Sequence, residues 1–140
     1  NFYVEEMISN LVDKFFLQHE RFDVDVPHGM IINADKNMLN HALTNLLDNA
    51  FKYSMSDTAI CVLVRREDRR VYFSVVSDTK SDIRDLELEK FFDRFHTGPE
   101  SEGAGIGLYI VKIIAEAHGG GVIARSTDDG KVVFGFTIPE

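Results

Sequence analysis

Asparagine and lysine side chains recur at helical spacing in residues 41–52. His41, Asn45, Asn49 and Lys52 follow one another at intervals of three or four residues, so they share one face of a helix. Asparagine is a poor helix former because its amide competes for backbone hydrogen bonds, and a merely solvated face would more often carry Glu, Lys or Gln. The pattern therefore predicts a helix face that holds a ligand.

A glycine-rich loop, residues 103–108, stands before a third helical pattern. Glycines let backbone amides approach a ligand closely, and the start of a helix offers unpaired N–H groups and a positive dipole end to an anion. Such a loop, taken alone, is more often only a tight turn. It has neither the upstream strand of a Rossmann unit nor the Lys-Ser/Thr of a P-loop, so both of those nucleotide motifs are disfavoured.

Two further positions carry possible ligand contacts. Asp78, at the end of a predicted strand, could accept a hydrogen bond from an adenine amino group, although a plain turn residue is equally compatible with the sequence. Arg94 could reach a phosphate as a planar cation with several donors. For a single arginine, a surface position at a packed helix end is the more common outcome. Phe92 and Phe95 are predicted to anchor the following loop on the core.

The elements that position these residues follow from hydrophobic periodicity. Apolar stripes predict helices over residues 4–16, from the N-cap Asp35 to about Ser54, and from 105 or 106 to a glycine stop at 119–121. A short helix is predicted over residues 86–92. Predicted strands cover residues 22–26, 30–33, 59–65, 71–76, 122–126 and 132–138. This order predicts an α+β fold, a two-layer α/β sandwich whose mixed, mostly antiparallel sheet is covered on one face by three helices.

Composition narrows the class of protein. The 140 residues are predicted to form one domain over residues 1–140, and 44% hydrophobic content is ordinary for a soluble protein. The net charge of −8 disfavours nucleic-acid binding. Cys61 is alone, so neither an internal disulfide nor a cysteine metal cluster is possible. No signal peptide or membrane-spanning run is evident. The abrupt start at Asn1 inside a helical pattern indicates a fragment of a longer protein.

In order and spacing, these elements resemble the catalytic and ATP-binding domain of sensor histidine kinases, which belongs to a superfamily shared with DNA gyrase and mismatch-repair ATPases. Residues 45–54, Asn-Leu-Leu-Asp-Asn-Ala-Phe-Lys-Tyr-Ser, match the N box of that family. Residues 92–95 match its F box and residues 103–108 its second glycine box. The resemblance covers essentially the whole chain and implies ATP and Mg²⁺ as cofactors, with residues 96–102 as part of a lid over the nucleotide.

The resemblance also implies a role for individual residues. It implies that Asn49 binds Mg²⁺ and that Asn45 lies near the phosphates or the water shell of the metal. Lys52 is expected to neutralise phosphate charge, and Tyr53 to pack its ring against the adenine. Asp78 is expected to select adenine through its amino group. The other expected nucleotide contacts are Arg94, Gly103, Gly105, Ile106, Gly107 and Leu108.

Asn45 bears on the type of reaction. Related hydrolysing ATPases and serine kinases tend to have Glu at this position, and an amide has no basicity with which to activate water or a hydroxyl. An imidazole acceptor needs little help from a base. A protein-histidine kinase is therefore expected. None of the five histidines, His19, His28, His41, His96 and His118, stands in the context of an acceptor, and His118 is expected to be structural.

The expected partners are a dimerisation segment that carries the acceptor histidine, N-terminal to Asn1, and the receiver domain of a response regulator. By analogy the domain faces the cytoplasm in a membrane-anchored parent, makes no direct membrane contact and is monomeric in isolation.

One departure from the motifs of the family leaves an alternative open. The first glycine box of the family reads Asp-x-Gly-x-Gly, whereas residues 78–82 here place Lys80 and Asp82 at the glycine positions. A degenerate, non-catalytic domain of the same fold, acting as a regulatory or interaction module, is the second hypothesis.

Overall fold

The computed structural model describes residues 1–14, 22–54, 58–78, 88–93 and 106–140. Three α-helices lie in these ranges: α1 (Val4–Asp13), α2 (Lys36–Tyr53) and α3 (Ile106–Ala117). The strands are β1 (Phe2–Tyr3), β2 (Phe22–Asp25), β3 (Ile31–Ile32), β4 (Ile60–Glu67), β5 (Arg70–Asp78), β6 (Gly121–Ser126) and β7 (Lys131–Pro139). A 3₁₀ helix covers Glu89–Phe92.

Five strands form one mixed sheet in the order β2-β4-β5-β7-β6. The β2–β4 pair is parallel and the other three pairs are antiparallel. Alternate residues of β4, β5 and β7 are buried on the face that carries the helices, and they share one hydrophobic core with α1, α2 and α3. The predicted α+β class, with a mostly antiparallel mixed sheet covered by three helices, is confirmed.

The strands β1 and β3 form a separate, two-stranded sheet, which corrects the prediction of a single sheet. The strand expected over residues 30–33 is the short β3, and it pairs antiparallel with β1 through Phe2↔Ile32 and Tyr3↔Ile31. Sequence periodicity did not predict β1, because a two-residue strand is shorter than any alternation that could reveal it.

Helix α2 begins and ends as its sequence predicts. The Asp35 side chain accepts a hydrogen bond from the Met38 N–H at 3.1 Å, which satisfies one of the free donors of the first turn. The inward face buries six side chains: Leu39, Ala42, Leu43, Leu46, Leu47 and Ala50. Each buried leucine contributes about 1.5–3 kcal/mol of hydrophobic stabilisation. This packing fixes which side of α2 faces away from the core.

The end of α3 is tied to the start of α2 through a histidine. His118 hydrogen-bonds the Ile114 carbonyl through Nδ1 at 2.9 Å, and its Nε2 accepts the Asp35 N–H at 3.4 Å. Gly119 then takes a φ of +81°, which favours glycine, and a Cβ on Gly120 would stand 1.7 Å from the Thr137 carbonyl oxygen. The predicted glycine stop is confirmed, and these contacts support the structural role expected of His118.

Several predicted boundaries differ from the observed ones. Helix α1 ends at Asp13, and the last residues predicted for it lie outside the described ranges. The predicted helix over residues 86–92 is a 3₁₀ turn over Glu89–Phe92 in its described part. Strand β2 is not the half-buried strand that its alternation predicts, because it lies at the sheet edge and only Phe22 is partly covered. No described helix has both the length and the apolar character needed to span a membrane.

Candidate functional site

The polar face of α2 contains one buried group without a partner. Asn45 is half-buried, and its Nδ2 has no hydrogen-bond partner in the described part of the chain. A buried donor left unpaired costs about 1–3 kcal/mol. Most buried polar groups in proteins are paired, so an unpaired one needs an explanation. Service to a ligand is one such explanation. The amide of Asn45 is therefore the strongest indication of a binding site on this helix.

The first turn of α3 lies beside that amide. A Cβ built on Gly107 would stand 3.5 Å from Asn45 Oδ1, so the glycine backbone and the asparagine side chain are near neighbours. Gly107 belongs to the first turn of a helix that begins at Ile106, and the N–H groups of this turn have no partner within the helix. The start of α3, whose free N–H groups and positive dipole end suit a phosphate, thus lies beside the Asn45 side chain.

The other predicted residues of α2 extend this face on both sides of Asn45. Asn49 and Tyr53 are half-buried, and Lys52 and His41 are exposed. Partial burial holds the pKa of Asp48 above its ordinary value. The positive charge of Lys52, one helical turn along, offsets part of this rise. Lys52 therefore has a carboxylate neighbour as well as freedom to reach a ligand. The structure brings Asn45, Asn49 and Lys52 onto one helix side, as their spacing predicts.

The segment that precedes the second glycine box is anchored by aromatic rings. Phe92 is fully buried, and both Phe91 and Phe92 contact Phe134 of β7, at centroid distances of 5.9 and 5.8 Å. Asp93 follows, and its Oδ1 lies 4.0 Å from the Nζ of Lys112 in α3. The predicted anchoring by Phe92 is confirmed, whereas Phe95 lies outside the described residues. These contacts fix the point from which the loop before α3 departs.

The end of β5 brings a different side chain to the helices than the one expected. Ser77 is 5% exposed and pairs with Val132, a member of the core. Asp78 pairs with Lys131, one position further along, and successive residues of a strand point to opposite faces. The adenine contact expected of Asp78 stays a prediction, although strand alternation turns its side chain away from α2.

The comparison with protein families matches residues 34–140 to the family described as "Histidine kinase-, DNA gyrase B-, and HSP90-like ATPase". The match includes α2, α3 and the whole five-stranded sheet except β2. The chain belongs to this family. It is a domain of the histidine-kinase type, and its fold is the one that the resemblance to that family predicts.

The most similar relatives include a sensor protein and a sensory kinase. The chain is 34% identical over 146 residues to the sensor protein KdpD of Clostridium acetobutylicum, covering 98% of this chain and 16% of that protein. It is 31% identical over 139 residues to the adaptive-response sensory kinase SasA of a Nostoc species, covering 96% of this chain and 34% of that protein. The histidine-kinase-type domain thus spans about a third or less of the length of these curated relatives.

Solved structures agree with the fold. The catalytic domain of the histidine kinase ThkA superposes with a TM-score of 0.84 at 26% sequence identity, covering 99% of this chain and 93% of that chain. The full-length ShkA structure with AMPPNP gives a TM-score of 0.80 at 24% identity, covering 99% of this chain and 30% of that one. The second comparison supports the architecture alone.

Some of the predicted nucleotide contacts of this domain lie outside the described residues. These are Arg94, Gly103 and Gly105, together with the expected lid at 96–102. For Ile106 the backbone alone is described, as the first residue of α3. Leu108 is 6% exposed and belongs to the core, so its side chain packs and only its backbone N–H is placed to reach a ligand.

Ser77 is a buried polar residue of the described ranges that the sequence-based prediction did not include. Alternation could have revealed its burial, because Val71, Phe73 and Val75 are apolar at every second position and Ser77 is next in the same series. Asp78 is the more conspicuous candidate, since it carries a carboxylate and the family motif begins with Asp.

Proposed function

We propose that this chain binds ATP with Mg²⁺ and presents the γ-phosphate for transfer to a histidine of the longer protein to which it belongs, in two-component signalling. The observation that carries this proposal is the unpaired, buried amide of Asn45 beside Gly107 in the first turn of α3. A donor amide and the N–H groups of a helix start suit a triphosphate better than a neutral ligand.

Each described residue of the site has a distinct task in this proposal. The Asn49 side-chain oxygen holds Mg²⁺, a hard cation that accepts amide oxygens and keeps several waters. Lys52 neutralises phosphate charge and Tyr53 packs against the base. Within the described ranges, no three His, Cys, Asp or Glu side chains gather as a metal site. When bound, the ion screens negative charge on the phosphates.

The lack of a carboxylate at position 45 supports transfer rather than hydrolysis. An asparagine amide cannot remove a proton from water, whereas a neutral imidazole nitrogen attacks without a strong base. Catalysis then depends on positioning and charge neutralisation by this chain. His118 is committed to Ile114 and Asp35, so it is not the acceptor. We place the acceptor on a dimerisation segment of the longer protein and the next transfer on a response regulator.

Calorimetry of Mg-ATP binding tests the nucleotide site. We expect the wild-type chain to bind, chelation of Mg²⁺ to weaken binding, and Asn49→Asp to lose the metal-dependent part. Asn40→Asp makes the same change nine residues earlier on α2 and should bind as the wild type does. A wild-type chain that binds no adenine nucleotide at millimolar concentration would contradict the proposal and favour the non-catalytic module.

Labelling tests the reaction. The full-length protein, incubated with ATP carrying ³²P at the γ position, should gain an acid-labile phosphoryl group on histidine, and the label should pass to a response regulator. Asn45→Leu in the same protein should remove the label. A full-length protein that binds Mg-ATP yet never labels a histidine would rule out kinase activity while leaving nucleotide binding intact.

A further inference from the structure

The histidine that follows α3 hydrogen-bonds two different helices through its two ring nitrogens. His118 Nδ1 lies 2.9 Å from the Ile114 carbonyl oxygen, and the Asp35 N–H donates to Nε2 at 3.4 Å. A carbonyl oxygen only accepts, so Nδ1 carries the proton of this pair and Nε2 is the acceptor. Asp35 is the N-cap of α2. The ring, in this one tautomer, therefore joins the end of α3 to the start of α2.

The end of α3 is itself fixed against the sheet. Gly120 has no room for a Cβ, which would overlap the Thr137 carbonyl oxygen of β7, so the two backbones are in direct contact. The Gly120 N–H donates to the Ala115 carbonyl at 2.8 Å and closes the last turn of the helix. His118 thus extends to α2 an anchor that begins at β7.

The helices α2 and α3 run antiparallel, and the candidate site lies at the end of the pair opposite His118. Asp35 and His118 meet at one end, and Asn45 and Gly107 meet at the other. About 15 Å of helix separates the two places, so a rotation of about 4° at the histidine would move Asn45 by about 1 Å. A displacement of that size at a reacting site can cost about a hundredfold in rate. The Asn45 Nδ2 has no partner in the described ranges, so it does not hold this end together.

We propose that His118 is a positioning residue of the nucleotide site, which sets the gap between the Asn45 amide and the first turn of α3 by holding the opposite ends of α2 and α3 together. The hydrogen bond from Asp35 carries this role, because the bond to Ile114 stays within α3 and its end. This inference rests on the proposed function, since the site that it aligns is the one proposed to bind Mg-ATP. His118 acts through the two helices and not by contact with the ligand.

Two substitutions separate the two hydrogen bonds of His118. An asparagine can donate from the place of Nδ1 but does not reach Asp35, whereas a glutamine carries an acceptor oxygen out to the place of Nε2. Positioning predicts that His118→Gln keeps Mg-ATP affinity within about twofold and that His118→Asn and His118→Ala lose roughly three- to tenfold, the effect of one misaligned hydrogen bond. A residue that only caps α3 predicts the opposite order, with asparagine the better substitute.

Calorimetry with Mg-ATP and NMR without nucleotide measure the two consequences. In ¹⁵N-labelled wild type, the ring nitrogens of His118 should show the Nδ1–H tautomer. The resonances of the Asn45 side-chain amide and the Gly107 backbone amide should shift in His118→Asn and stay near their wild-type positions in His118→Gln. Val64→Ala, a change in the core part of β4, is the control for lost stability. It should lower the urea midpoint and leave the affinity and these two resonances unchanged.

The outcomes separate positioning from nucleotide binding itself. If wild type binds Mg-ATP and the His118 variants bind equally well, or His118→Gln loses as much affinity as His118→Asn or more, the positioning role is overturned and the proposed function stands. Unchanged Asn45 and Gly107 resonances in His118→Asn also overturn it. If wild type binds no adenine nucleotide, both proposals fail. Circular dichroism confirms folding, and the comparison of His118→Asn with His118→Gln decides the role even where His118→Ala does not fold.

Discussion

The Asn45 side chain and Gly107 form the contact between α2 and α3 at the site: a methyl group on Gly107 would stand 3.5 Å from Asn45 Oδ1. This separation is an ordinary van der Waals distance, so the protein fold does not require glycine here for space. Gly107 also lies inside a helix, where glycine is less favourable than alanine. The lack of a side chain at this position therefore needs a reason other than packing, and access of a ligand to the Asn45 amide provides one.

Gly107→Ala is expected to stabilise the chain and to weaken the binding of nucleotide. Alanine in a helix is favoured over glycine by about 0.5–1 kcal/mol, which should raise the free energy of unfolding. The added methyl group fills the space beside Asn45, and we expect Mg-ATP affinity to fall roughly tenfold or more, equivalent to about 1.4 kcal/mol. Urea unfolding and calorimetry on the same samples measure both. Unchanged affinity would show that the ligand does not approach this backbone.

Asn45→Leu tests whether the unpaired amide is kept for function. Removing a buried donor without a partner should raise the free energy of unfolding without nucleotide by about 1 kcal/mol, because the leucine has no polar group to desolvate. Binding of Mg-ATP should be lost. Asn40→Leu, on the same helix, is the control and should keep binding. A destabilised Asn45→Leu variant would mean that the amide has a structural partner instead.

Helix α2 could be predicted well from the sequence, and the end of strand β5 could not. Asp35 and the apolar stripe of α2 predict that helix within a residue at each end, because a cap and a core face are both local signals. The end of β5 is not local. Residues 77 and 78 look like a turn by composition, yet pairing with β7 continues the strand through Asp78, and the sequence does not show that partner.

In the candidate site, too, local sequence signals predict the helix residues better than the strand residues. The spacing of Asn45, Asn49 and Lys52 places them on one side of α2, since helix geometry converts spacing directly into direction. Strand geometry is less direct, because the side chain that β5 turns toward the helices depends on the phase of the strand. A shift by one residue reverses every side chain of a strand, so residue type alone does not say which of two neighbours faces the helices.

Cys61 is expected to react slowly with iodoacetamide in the native chain. Burial raises the pKa of its thiol, and Asp23 and Asp25 on the neighbouring strand raise it further, so little reactive thiolate exists near neutral pH. The double substitution Asp23→Asn and Asp25→Asn should speed alkylation by roughly two- to fivefold, because it removes two like charges. Asp68→Asn, in the turn between β4 and β5, is the control. Mass spectrometry of timed samples gives the rates, and an unchanged rate in the double variant would contradict the electrostatic explanation.

Glu5 should make the stability of the chain depend on acid pH. Its carboxylate accepts the Gly29 N–H at 3.1 Å and lies 3.2 Å from His28 Nδ1, and these contacts lower the pKa of Glu5 in the folded state. A lowered folded pKa means that the unfolded chain takes up the proton first as pH falls. The stability from Glu5 is therefore fully present above the ordinary pKa of a glutamate and is lost as pH falls through the lowered value.

Glu5→Gln isolates this contribution, because the amide oxygen can still accept from Gly29 but carries no charge. We expect a lower urea midpoint than wild type near neutral pH, and a difference that shrinks as pH falls below the ordinary pKa of a glutamate and through the lowered one. Glu6→Gln makes the same change one residue along α1, so only the part of the pH dependence absent from that control belongs to the Glu5 contact. If the urea midpoint of Glu5→Gln lies as far below that of wild type in acid as at neutral pH, the loss of stability comes from packing and not from the charged hydrogen bond.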